Sequence, residues 1–89
     1  MLKQTLTIVN KLGLHARAAT KLVKLASQFD SAILLKRKQR EVNGKSIMGV
    51  MLLAASKGCE VELTVDGTDE DTAMSQLSNL IKDGFGEEE

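Results

Sequence analysis

The chain has almost no aromatic side chains: two Phe, no Tyr and no Trp among 89 residues. Its core must therefore be aliphatic, built from Leu, Val, Ile, Met and Ala. The same lack removes the stacking platforms on which most single-stranded nucleic-acid binding depends. There is one cysteine, Cys59, so no internal disulfide can form and no oxidising compartment is implied. Cys59 is expected to be a strand residue facing the core. There is also one histidine, and one His with one Cys cannot supply a tetrahedral zinc set, so no metal is expected. No apolar run reaches the roughly 20 residues of a membrane span, and no signal peptide is evident. A soluble, cytoplasmic protein without membrane insertion is expected.

The length fits one domain, 1–89, in which only the "GEEE" tail, 86–89, is expected to be loose. A domain this small buries roughly 60–65% of the surface of its unfolded chain, which leaves little stability to spare. Net charge is zero but unevenly spread. Residues 1–45 hold ten bases and two acids, and residues 46–89 hold two bases and ten acids. That asymmetry hints at a basic face.

Leu2 to Val9 alternates and is rich in β-branched residues, the pattern of a strand. "NKLG" breaks it. Ala16 to about Gln28 has helical spacing, with Ala19, Leu22, Val23, Ala26 and Phe29 inside and Lys21 and Lys24 outside. Ser31 to Arg37 and Arg40 to Val42 read as two short strands around a polar turn. Ser46 is placed to cap a second helix of about two turns, and Lys57-Gly58 to close it. Cys59 to Asp66 alternates again. Thr68 is expected to cap a third helix, whose first turn holds Asp69, Glu70 and Asp71, with Ala73, Leu77, Leu80 and Ile81 facing inward and Gly84 ending it. The order β-α-β-β-α-β-α predicts an α+β fold, an open-faced β-sandwich: a four-stranded antiparallel sheet with three helices on one face.

The lone His15 lies in "GLHARAAT", where a glycine loop meets a helix start. The first amides of a helix have no intrahelical acceptors and form a ready anion site. Arg17 adds a cation with forked donors suited to phosphate oxygens. A phosphoryl group on His15 would therefore meet the Ala16 and Arg17 amides and the Arg17 guanidinium. The positive end of a helix also favours a neutral, nucleophilic ring. No acid precedes Asp30, so an orienting carboxylate could come only from a distance. Nothing here activates water, which points to covalent carriage of a phosphoryl group rather than hydrolysis.

"GLHARAAT" resembles the active-site signature of HPr, the histidine phosphocarrier family of the bacterial phosphoenolpyruvate-dependent phosphotransferase system. "KSIMGVMLLAASKG" resembles that family's regulatory-serine signature, and the two stand at the family's spacing. The resemblance covers essentially the whole chain. It implies that His15 takes phosphate from phospho-enzyme I on its δ1 nitrogen and hands it to an enzyme IIA-type domain, assisted by Arg17. It implies phosphorylation of Ser46 by an HPr kinase/phosphorylase. It implies a docking face on the first two helices, here Thr20, Lys21, Lys24, Ile47, Met48 and Met51. Such a carrier turns over nothing alone, so no enzyme activity and no cofactor are expected, and a monomer is. The family usually has proline after the active-site arginine. Ala18 stands here instead and returns a backbone N–H to the first turn, one more donor near the phosphate.

Two other readings stand beside the sugar-branch carrier. One is a binding module acting mainly through phosphorylated Ser46, and the other a carrier of the nitrogen-related relay. An RNA-binding reading of "KRKQR" and the first helix is disfavoured by the missing aromatics and zero net charge. No nucleic-acid partner is expected.

Overall fold

In the computed structural model, which describes residues 1–87, the strongest alternating segment becomes a central strand. The elements are β1 (Leu2–Thr7), α1 (Ala16–Ala26), β2 (Ala32–Arg37), β3 (Arg40–Asn43), α2 (Ile47–Leu52), β4 (Glu60–Asp66) and α3 (Glu70–Lys82). A 3-10 turn, Gly84–Gly86, follows. The sheet order is β1-β4-β2-β3, with every neighbouring pair antiparallel. Leu6 pairs with Val61, and Leu35 pairs with Leu63 and Val42. Period-two alternation therefore puts the apolar side chains of all four strands on one face. Three helices cover that face and leave the other open, the architecture the sequence predicts.

α1 lies close on the sheet because its inner face is small: Ala18, Ala19 and Ala26 have no exposed surface, and Leu22 and Val23 fill between them. Phe29 lies beyond the helix end and is half-buried against the core. α3 buries Met74 and Ser78 as well as Ala73, Leu77 and Ile81, while Leu80 is only partly covered.

Three sequence-based expectations are corrected. Lys57-Gly58 does not close α2, which ends at Leu52. The Arg37 and Arg40 guanidinium groups donate to the Leu53 and Leu52 carbonyls, and Ala54 turns into the left-handed region. A tertiary cap from the β2–β3 hairpin thus ends the helix several residues early. Cys59 stands one residue ahead of β4, half-buried at the core edge, with its thiol 3.5 Å from the Ser56 hydroxyl. That hydroxyl holds the thiol below its ordinary pKa.

Thr68 does not cap α3. Asp69 is the cap residue, and its carboxylate makes no capping bond. It reaches across instead to the Asp30 amide at 2.8 Å, the Ser31 amide at 3.0 Å and the Ser31 hydroxyl. The Ser31 hydroxyl, then the Asp30 amide, hold the Asp69 carboxyl below its ordinary value of 3.8. A lowered folded pKa adds stability above the unfolded value and loses it as pH falls through the folded one. Asp69→Ala should therefore lower the urea midpoint at pH 7, and the gap should close below pH 3.8. Urea melts at pH 7, 4 and 3 should show the gap narrowing as pH falls below 3.8, and a gap that does not narrow would rule out the carboxylate as its source.

Candidate functional site

The site is a loop pinned at three points. Asn10 is almost wholly buried and ties the loop to itself: its carbonyl accepts from the Gly13 amide at 3.2 Å, and its side-chain amide donates to the Gly13 carbonyl at 2.8 Å. Leu14 plugs into the core, and its amide donates to the Ala55 carbonyl at 2.9 Å. Gly13 has φ +66°, and a Cβ there would stand 2.4 Å from the Ala55 carbonyl oxygen. Both the conformation and the close approach require glycine. The motif's glycine therefore seats the loop on the segment that follows α2.

This pinning delivers His15 as the N-cap of α1, in extended conformation. Its Nδ1 accepts from the Arg17 amide at 3.3 Å. Its Nε2 lies 2.5 Å from Oε2 of Glu87, a residue 72 positions away. A backbone amide can only donate, so Nδ1 carries no proton and presents a lone pair. The ring proton sits on Nε2 and is donated to the carboxylate. The partners thus favour the tautomer with the ring lone pair on Nδ1.

Glu87 is held in turn. Its other oxygen accepts from the Asn10 side-chain amide at 2.7 Å. Asn10 first, and His15 after it, keep the Glu87 carboxyl below its usual range. The tail reaches His15 because Gly84 reverses the chain at φ +65° and Phe85 drops into the core. The Lys21 ammonium donates to the Phe85 carbonyl at 2.7 Å. Within the segment expected to be loose, Glu87 is thus placed against the site, while 88 and 89 lie outside the described residues.

The other predicted residues fall as follows. Ala16 and Arg17 are exposed in the first turn, and Ala18 is buried beneath them. No carboxylate of the described residues lies within 4.0 Å of the Arg17 guanidinium. Thr20 turns inward along its own helix, its hydroxyl donating to the Ala16 carbonyl, and Lys24 is exposed. Ser46 caps α2, its hydroxyl oxygen accepting from the Gly49 amide at 3.1 Å. Ile47, Met48 and Met51 are 42%, 74% and 44% exposed, and α2 packs against α1. Leu12 and Leu52, which the sequence did not single out, are exposed too. Among the described residues, no three metal-ligating side chains gather and no helix is long and apolar enough to cross a membrane.

An open-faced sheet under three helices, with one surface histidine capping a helix beside an arginine that no carboxylate of the described residues pairs, defines a class of small histidine-bearing α+β domains. Residues 2–83 match the PTS-HPr family model, described as the PTS HPr component phosphorylation site. The phosphocarrier protein HPr of Neisseria meningitidis serogroup A is 55% identical over 89 residues, all of both chains. The crystal structure of HPr-C-His from Thermoanaerobacter tengcongensis superposes with a TM-score of 0.96 at 46% identity, covering all of both chains. A second structure, of an HPr dimer from that organism, gives 0.78 at the same identity, over 98% of this chain and all of that one. The chain belongs to the HPr family.

Proposed function

We propose that this protein carries a phosphoryl group on Nδ1 of His15, accepting it from phospho-enzyme I and passing it to an enzyme IIA-type domain in the cytoplasm. The observation that supports this most is the pair of partners on the ring: Nδ1 faces the Arg17 amide, which can only donate, and Nε2 faces the Glu87 carboxylate. The Nδ1 lone pair attacks phosphorus, a new N–P bond forms, and the donor keeps the electrons of the bond that breaks. The Arg17 amide, freed from Nδ1, turns to a phosphoryl oxygen. The Arg17 guanidinium, with no competing carboxylate among the described residues, and the Ala16 amide supply further donors. Ala18 adds an amide to the same first turn. The chain acts as one domain and gains no activity alone.

The partners dock on the exposed faces of α1 and α2, with Lys21, Lys24, Ile47, Met48 and Met51 as contacts and Thr20 at the margin. Flexible exposed methionines suit a surface shared by several partners. Ser46 is the regulatory site, phosphorylated by an HPr kinase/phosphorylase. The dimeric HPr noted above makes self-association worth measuring, but sequential docking on one face favours a monomer.

Incubation with phosphoenolpyruvate and enzyme I, read by intact mass at neutral pH, tests carriage. One acid-labile phosphate is expected, and none on a folded protein with an active enzyme I would overturn the reading.

Phosphate on Ser46 would set about −1.5 to −2 charges beside Ile47 and Met48. Asp is as good an N-cap as Ser, so Ser46→Asp should fold normally. Its acceptance of phosphate from enzyme I should fall about tenfold or more, a cost of roughly 1.4 kcal/mol in docking. Ser46→Asn keeps the cap without the charge and should run at the wild-type rate. Equal rates for the Asp and wild-type proteins would remove the electrostatic role.

A further inference from the structure

We infer that Glu87 is a positioning residue for His15: it fixes the ring proton on Nε2 and balances the positive charge the ring gains when Nδ1 is phosphorylated. This rests on the reading of His15 as the phosphoryl acceptor. It concerns a residue outside the stretch that the family model matches, which ends at residue 83.

The contact is built rather than incidental. One Glu87 oxygen meets Nε2 at 2.5 Å, and the other meets the Asn10 amide at 2.7 Å. Asn10 spends its second amide hydrogen on the Gly13 carbonyl at 2.8 Å. Its orientation is therefore committed. Turning the amide over would aim an oxygen at two acceptors, the Gly13 carbonyl and the Glu87 carboxylate. That commitment carries a cost, since the Asn10 Oδ1 is buried with no partner among the described residues. Behind Glu87, the buried Phe85 ring and the bond from Lys21 to the Phe85 carbonyl fix the tail. The same asparagine that closes the glycine loop thus also aims the carboxylate.

The chemistry gives the contact a purpose. A ring with phosphorus on Nδ1 and hydrogen on Nε2 carries a positive charge. If water removed that hydrogen, the phosphoryl group would have to leave an imidazolate, a poor leaving group. Glu87 pairs with the charge and retains the proton. When the N–P bond breaks, its electrons return to Nδ1, and the ring is again the neutral Nε2–H tautomer. A phosphoryl group enters and leaves, and no proton moves.

The test uses the full chain with Glu87→Ala and Glu87→Gln. Ring nitrogen shifts of His15 by 15N NMR report the tautomer before any phosphate is added. Single-turnover transfer, into the protein from enzyme I and out to an enzyme IIA-type acceptor, reports the chemistry. The wild-type protein should show the Nε2–H tautomer. Glu87→Ala should mix tautomers and slow transfer in both directions by about tenfold, comparable to the low end of the loss when a metal-bound histidine loses its outer hydrogen-bond partner. Glu87→Gln removes the charge and offers one acceptor oxygen to two donors, the Asn10 amide and Nε2–H, so it should not restore the rate. An unmixed tautomer in Glu87→Ala would overturn the positioning role, and wild-type rates in Glu87→Gln would overturn the charge role. A wild-type protein that accepts no phosphate would refute the carrier reading instead, and the tautomer measurement keeps that failure separate.

Discussion

A His15→Ala protein is expected to fold and to take up no acid-labile phosphate. His15 is the only histidine in the chain, so no second imidazole can substitute. The structural cost is small. The ring is a partly exposed N-cap whose Nδ1 accepts one long bond, and exchanging a cap for alanine costs about 1 kcal/mol. The chemical cost is complete, because the neighbouring donors only receive a phosphoryl group and cannot form a bond to it. Intact mass at neutral pH after incubation with phosphoenolpyruvate and enzyme I checks this. An acid-labile adduct on the variant would place the acceptor elsewhere.

The largest expected loss of stability comes from Phe85→Ala. Phe85 is among the largest fully buried side chains, 1% exposed, and belongs to the main core cluster. Truncating a buried phenylalanine costs about 3–5 kcal/mol, much of the roughly 5–15 kcal/mol that holds a domain together. Its backbone lies in the left-handed region at φ +60°, which the buried ring holds in place. The variant should show a much lower urea midpoint. Where it remains folded, His15 should lose its fixed tautomer, because the tail that carries Glu87 is no longer anchored. A shift under about 1 kcal/mol would mean that the core closes without the ring.

These two residues mark what was legible in the sequence. His15 stood out through its motif, and the structure gives that motif a physical basis: Gly13 because a Cβ would strike Ala55, and the helix start because His15 caps it. The strands and helices were readable from alternation and helical spacing, since each buries a single face. What escaped depends on contacts distant in sequence. The end of α2 is set by Arg37 and Arg40 on a neighbouring hairpin. Asp69 leaves its helix to hold Ser31, so the acid-rich helix start pointed to the wrong cap. Glu87 lies 72 residues from His15, in a tail whose composition suggested solvent. The unmatched clue was Phe85, an aromatic just past a helix end in a chain with only two.

The most direct measurement is to phosphorylate protein labelled with 15N-histidine, using phosphoenolpyruvate and enzyme I, and to record coupling between phosphorus and the His15 ring nitrogens. Phosphorus bonded to Nδ1, with the proton retained on Nε2, is the predicted result. Phosphorus on Nε2, or on no nitrogen of His15, would contradict it.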